Sequence, residues 1–233
     1  MRPQDSLSRP SAFPRLVGVI ASPAGLAEAV RLAEPPDLFE LRLDALHDSL
    51  GQVERAIPRL RAPLILTARH PAEGGFHRLA LAARRALLER FIDRAAFIDL
   101  EARLERQTRL ILAQIRRHEI GLILSVHLSG RRLTSNAFLR LTTKAGAFRP
   151  DIFKLVVRTD DAGDLDALIS LFANRPPADF QFAAMGLGKL ALASRLALER
   201  LGSALTYGAV GEPVMPGQPS LSQLRDARRA YRE

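Results

Sequence analysis

LFELRLD, residues 38–44, alternates apolar and charged side chains from Phe39 onward. Successive side chains of a β-strand point to opposite faces, so Glu40, Arg42 and Asp44 share one face while Phe39, Leu41 and Leu43 take the other. Seven more short, β-favouring runs surround it: RLVGVIA (15–21), LILTAR (64–69), FIDLEA (97–102), GLILSVH (121–127), IFKLVVR (152–158), FQFAAMG (180–186) and SALTYG (203–208). Between them, residues 79–95, 104–117, 133–148, 162–172 and 190–201 space their apolar residues at helical intervals. Pro58 interrupts the pattern in the connection after the second strand. Eight strands alternating with helices in one chain of 233 residues predict an α/β fold, a (β/α)8 TIM barrel, with an open doubly wound sheet as the alternative whose strands look similar locally.

A barrel carries a strict requirement. Charged strand residues must point into the lumen, and residues of the other parity must be apolar to meet the helix layer. Asp99 and Glu101 share a face of their strand with Ile98 and Leu100 opposite, Ser125 and His127 are two apart, Lys154 lies mid-strand, and Arg69 ends its strand. Lysine is almost never fully buried unless it is paired or put to use. A satisfied ion-pair network plugging the barrel is one reading of this set. Convergence of the polar positions near the C-terminal strand ends, where barrel enzymes place their active sites, favours the other.

Composition narrows the chemistry. The chain is 47% hydrophobic and 25% charged, enough to bury a full core, and it contains no cysteine. Disulfides, thiolate metal sites and cysteine nucleophiles are excluded, and a cytoplasmic setting is favoured. Residues 1–14 are polar and proline-rich without a secretory apolar core, no run approaches the length of a membrane span, and the reading is a soluble protein with a flexible N-terminal tail before a single catalytic barrel over 15–233. The formal charge of +9 invites a nucleic-acid partner. The basic residues are however scattered among acidic ones, and 6% aromatic content without tryptophan offers no stacking stripe, so no nucleic-acid binding is expected. Of the 34 basic residues only Lys144, Lys154 and Lys189 are lysines. A chain that otherwise uses arginine has a lysine at 154, and only lysine gives up its proton readily on burial.

In a lumen crowded with arginines and walled by apolar groups, the protonated form of that amine is disfavoured and the amine becomes a nucleophile towards a ketone or aldehyde. The resulting iminium acts as an electron sink for removing a neighbouring proton, and His127 on the preceding strand is the candidate base. His47, His70, His77 and His118 fall in loops or helical stretches and read as surface histidines. Arg42, Arg69 and Arg195 suit a substrate carboxylate, or the orientation of carboxylates that bind hydroxyls. An anionic, polyhydroxylated carbonyl compound is the inferred substrate class. A catalytic metal is disfavoured, because arginines interleaved with the carboxylates compete with a cation. MGLGKLALASR (185–195) lacks the spacing of a phosphate-binding P-loop and reads as a strand-to-helix turn.

FELRLD, TARHPAEGG, DLE, SVH, FKL, MGLGKLALASR, GSALTYG and PGQ occur in the order expected of type I 3-dehydroquinate dehydratases, and over residues 15–230 the sequence resembles that family. The resemblance implies that Lys154 forms a Schiff base with the C3 ketone of 3-dehydroquinate, and that His127 removes a C2 proton and returns one to the departing C1 hydroxyl in a syn elimination. It implies that Glu73 supports His127, that Glu40, Arg42 and Arg69 hold substrate hydroxyls and shape the site, that Arg195 pairs with the substrate carboxylate, and that Gln218 belongs to a lid after strand 8. No cofactor and no metal are implied, and the assembly expected is a homodimer.

Three features depart from the family pattern. Val214 and Met215 stand where small residues commonly precede the PGQ, HLSGRRLTS follows where a histidine, an acidic or amide residue and an aromatic are common, and Thr134-Ser135 replaces a usual Thr-Pro. Two further readings therefore stay open at the level of sequence: a class I Schiff-base lyase or aldolase acting on a related hydroxylated keto acid, and a non-catalytic metabolite-binding barrel. Turnover of several keto acids separates the first, and ligand binding without a borohydride-trappable adduct marks the second.

Overall fold

The computed structural model describes residues 15–102, 108–128, 130, 133–213, 215 and 217–230. The expectations for the N-terminal tail (1–14) and for Val214 lie outside the described residues. Eight parallel strands, β1 (Arg15–Ile20), β2 (Leu38–Arg42), β3 (Leu64–Thr67), β4 (Ala95–Glu101), β5 (Gly121–Leu128), β6 (Ile152–Arg158), β7 (Gln181–Leu187) and β8 (Leu205–Ala209), run in the order 7-6-5-4-3-2-1-8. Each is followed by a helix: α1 (Pro23–Arg31), α2 (Leu50–Ala56), α3 (Leu81–Phe91), α4 (Thr108–Arg117), α5 (Ser135–Gly146), α6 (Ala162–Ala173), α7 (Ala191–Arg200) and α8 (Leu221–Ala230). This is a (β/α)8 barrel, closed everywhere by strand ladders except between β7 and β8. There, Ala204 N donates to Phe182 O at 2.8 Å, and Ala184 N donates to Ser203 Oγ at 3.1 Å.

Local chemistry fixes where several of the helices begin and end. Ser22 caps α1 by accepting from Gly25 N, with Pro23 in the first turn, where a missing N–H costs nothing. Pro58 confines the residues after α2 to a single 3-10 turn, Ile57–Arg59. Thr134 and Asp161 cap α5 and α6, accepting from Ala137 N and Asp164 N.

Strand parity sorts the side chains into two cores. Phe39, Leu41, Leu66, Ile98, Leu100, Leu124, Phe153 and Leu155 face outward and bury against the helices. Inside, Val17, Leu38, Ile65, Phe97, Ile123, Ile152 and Leu205 form an apolar floor. Two residues further along five of these strands stand Glu40, Thr67, Asp99, Ser125 and Lys154, and two further again Arg42, Arg69, Glu101, His127 and Val156. The register keeps this parity across neighbours, pairing Thr67 with Asp99, Glu101 with Ser125, and Ser125 with Lys154. An apolar plug thus supports a polar storey that opens at the C-terminal end.

Candidate active site

At that end lies a cavity of ≈ 380 Å³ lined by Glu40, Arg42, Arg69, Glu73, His127, Lys154, Arg195 and Gln218, together with Tyr207 and Met215. All eight residues singled out from the sequence are therefore brought to one space. A larger cavity, of ≈ 1130 Å³, opens at the opposite end among strand N-termini and carries none of them.

Lys154 is buried, and its Nζ forms an ion pair with Asp99, with Glu40 Oε1 3.9 Å away. The expectation of an amine surrounded by arginines needs correction here, since the immediate partners are carboxylates and the arginines stand one layer behind. Arg69 Nη2 lies 2.9 Å from Asp99 Oδ1, its Nη1 donates to Ser125 Oγ at 2.6 Å, and Ser125 Oγ in turn donates to Asp99 Oδ1 at 2.6 Å. Burial alone would depress Arg69, but Asp99, Glu101, Glu40 and Glu73 outweigh it and hold the guanidinium more firmly charged than usual. Burial likewise would raise Asp99, yet Arg69 and Lys154 with the bonds from Lys154 and Ser125 keep it below the ordinary carboxylate range. Asp99 and Ser125 had no role assigned from sequence beyond facing the lumen. Their spacing from Glu101 and His127 was the available signal.

Glu73 comes from the 3-10 turn Pro71–Glu73 after β3 and is buried. Its Oε2 accepts both the His127 backbone N–H and a bond from Nδ1, each at 3.1 Å. The carboxylate therefore fixes the tautomer with hydrogen on Nδ1 and leaves Nε2 with its lone pair. His127 is driven well below its usual value, first by burial and then by the charges of Arg69, Lys154 and Arg42. With 19% of its side chain still accessible, it is a neutral base open to a ligand.

Arg42 is largely occupied: Nε and Nη2 donate to Asp44 at 3.0 and 2.8 Å, and Nη2 also to Gly74 O at 3.0 Å. It ties the loop bearing Glu73 to the end of β2. Burial would raise Asp44, but the Arg42 guanidinium and the backbone donors hold it low. Glu40 accepts from Thr67 Oγ1 at 2.7 Å.

Arg195 on α7 is buried, with Nε donating to Tyr207 O at 2.8 Å and Nη1 to Gly186 O and Ala191 O at 2.8 and 2.9 Å. Its contacts are backbone carbonyls rather than a carboxylate. Burial brings it down to about 10, with Glu199 opposing, so it remains a cation at neutral pH. A buried cation with no ion pair among the described residues, lining a cavity, is prepared for an anion.

Of the described residues in the segment after β8, Met215 and Gln218 line the cavity. A Cβ at Gly217 would lie 2.2 Å from Gly188 O, and one at Gly74 would lie 3.3 Å from Met215 Sδ and Cε. The segment thus rests on the β7–α7 turn on one side and, through Met215, on the Glu73 loop on the other, with Gln218 facing inward. In the β7–α7 turn, Lys189 N, Leu190 N and Ala191 N are taken by Asp160, Thr159 O and Gly188 O, in keeping with a structural turn. Tyr207 was missed at the sequence level, although its parity with Leu205 placed it in the lumen. Its ring centroid is 4.5 Å from Lys154 Nζ, and its hydroxyl is buried without a partner among the described residues.

Comparisons with known proteins agree in kind. The profile described as Type I 3-dehydroquinase matches residues 21–233. The 3-dehydroquinate dehydratase of Methanocella arvoryzae is 31% identical over 219 residues, covering 93% of this chain and 96% of that one. That of Escherichia coli O8 is 30% identical over 201 residues, covering 81% and 80%. In fold, the chain is similar to the 3-dehydroquinate dehydratase of Geobacillus kaustophilus (TM-score 0.83, 23% identity, 95% and 92% covered) and to the type I enzyme of Clostridium difficile (TM-score 0.82, 21% identity, 95% and 93% covered).

Proposed function

The chain belongs to the type I 3-dehydroquinase family, and from that premise we propose how its own residues carry out the hydro-lyase reaction, 3-dehydroquinate to 3-dehydroshikimate through a lysine Schiff base. Lys154 Nζ, after releasing a proton, adds to the C3 ketone, and the carbinolamine hydroxyl leaves as water to give an iminium. His127 Nε2 takes a proton from C2, and the C–H electron pair flows towards the iminium nitrogen. The enamine then expels the C1 hydroxyl, which takes the proton back from the imidazolium and departs as a second water. Hydrolysis of the conjugated iminium consumes one water and restores the amine and the product ketone, so the net change is loss of one water.

The observation that carries this reading is the pairing of an ion-paired lysine and a carboxylate-oriented neutral histidine across one cavity. Neither a binding module nor a structural plug needs both. Arg195 receives the substrate carboxylate, Glu40 with Arg69 behind it receives ring hydroxyls, and Arg42 keeps the Glu73 loop in register while bordering the substrate. Gln218 closes over the substrate from the β8–α8 segment. Residues 15–233 act as one catalytic domain, in the cytoplasm, as a homodimer. Among the described residues no helix is long and apolar enough to cross a membrane.

Borohydride reduction in the presence of 3-dehydroquinate, followed by intact mass and peptide mapping, tests the assignment. The expected result is a single adduct on Lys154, absent from Lys154→Met and still formed by His127→Ala, which no longer produces the enone absorbance. A folded parent protein giving neither adduct nor enone would overturn the reading.

A further inference from the structure

Outside that cavity, the loops after β2 and β3 bring together three ligating side chains that the reaction does not use. His47 and Asp48 lie on the 3-10 turn His47–Ser49, and His77 lies four residues beyond Glu73. One donor atom from each lies within 4.8 Å of the other two. His47 Nε2 stands 3.2 Å from Asp48 Oδ1. Two ligands on a tetrahedral zinc ion, each about 2.0–2.1 Å from the metal, are separated by roughly 3.3 Å. The His77 ring faces the His47 ring at a centroid distance of 4.5 Å and a tilt of 48°, and His47 Nδ1 has no hydrogen-bond partner among the described residues.

We infer that His47, Asp48 and His77 form a divalent-cation site of the zinc class, its remaining positions completed by water. Two imidazoles and one carboxylate suit Zn²⁺, Ni²⁺, Co²⁺ or Cu²⁺, whereas Ca²⁺ and Mg²⁺ require oxygen ligands in larger number. The side chains of His47 and Asp48 are 32% and 74% accessible, so the site is open, and a micromolar affinity is expected rather than that of a closed structural centre. Its place in the fold gives it a consequence. The loop from Gly74 to His77 is tied to the end of β2 by Arg42 Nη2 to Gly74 O and by Phe76 N to Asp44 Oδ2, each at 3.0 Å. A cation at His77 adds a tie at the next residue, on the loop that carries Glu73. The ion does not enter the reaction; it stiffens the support of His127.

The test is calorimetric titration of the chelator-stripped full chain with ZnCl₂, with visible d–d absorption of Co²⁺ as a second readout and thermal melting with and without Zn²⁺. The expected result is one equivalent bound, a tetrahedral Co²⁺ spectrum and a raised melting temperature. His77→Asn, chosen because the backbone there has φ 58 and asparagine tolerates that conformation, should fold as the parent does without metal and weaken binding at least tenfold. His47→Ala should do the same, and His118→Ala, remote from the cluster, should bind as the parent. No stoichiometric binding, or binding unchanged in both His47→Ala and His77→Asn, would overturn the site and leave three ordinary surface side chains.

Discussion

At the scale of single residues, the site works by opposing charge and burial within a few ångströms. His127 is the clearest case. Burial first, then Arg69, Lys154 and Arg42, push it well below the ordinary imidazole value of about 6.5. Through the interval between that ordinary value and the depressed one, the unfolded chain binds a proton that the native state refuses, so native stability falls as pH drops through it and is insensitive to this residue above it. Catalysis responds in the opposite sense, because the base stays unprotonated in mild acid. The acid limb of kcat/KM attributable to His127 is therefore expected well below the usual imidazole value, and urea melts should show stability declining over the same range. An acid limb of the parent enzyme at the ordinary value, matched by a histidine that titrates there by NMR in the parent and is missing from His127→Ala, would show that the surrounding cations do not act on the ring.

At the scale of elements, what matters is how loops from different strands brace one another. The β8–α8 segment can lie close to the β7–α7 turn only because Gly217 has no side chain. Its φ of 77 is left-handed, and an added Cβ would meet Gly188 O at 2.2 Å. Left-handed backbone costs an alanine about 1–2 kcal/mol before the clash is counted. Gly217→Ala is therefore expected to lift the segment that carries Gln218, lowering kcat/KM roughly tenfold or more, while Lys154 still forms its trapped adduct and the melting temperature falls by only a few degrees. Steady-state kinetics with parallel borohydride trapping checks this; parental kcat/KM would mean that the segment does not need its seat on Gly188.

At the scale of the molecule, closure of the barrel and the proposed binding of the substrate carboxylate meet in Arg195. β7 and β8 share no strand ladder, and Arg195 bridges them by donating to Gly186 O on one and Tyr207 O on the other. A lysine keeps the charge but cannot present the guanidinium fork to carbonyls on both strands. Arg195→Lys is expected to lower unfolding free energy by about 2–4 kcal/mol, since buried carbonyls lose charge-assisted donors, and to raise KM as well. A urea midpoint equal to the parent's, at unchanged m-value, would assign Arg195 to substrate binding alone.

Much of this was legible in one dimension because a strand's period of two is rigid: once Glu40, Arg42, Asp99, His127 and Lys154 shared a parity within apolar runs, a lumen lined by them followed. Five helices, α3 to α7, were read from apolar spacing, whereas α1, α2 and α8 were not; α1 and α8 begin at the caps of Ser22 and Ser220, whose geometry is set by the finished fold. The partners of each charge were not legible. That Lys154 meets Asp99 rather than an arginine, that Arg42 is spent on Asp44 and Gly74, and that Arg195 spans the open seam depend on strand tilt and stagger, which set which of several equally spaced side chains arrive at the same height. His47 and His77, thirty residues apart and unremarkable in sequence, become neighbours only because β2 and β3 run parallel and deliver their following loops to the same rim. The alternation of apolar and polar residues determined the fold and the face on which chemistry would occur, while contacts between loops and across strands, which carry no local periodicity, were decided by closure of the barrel.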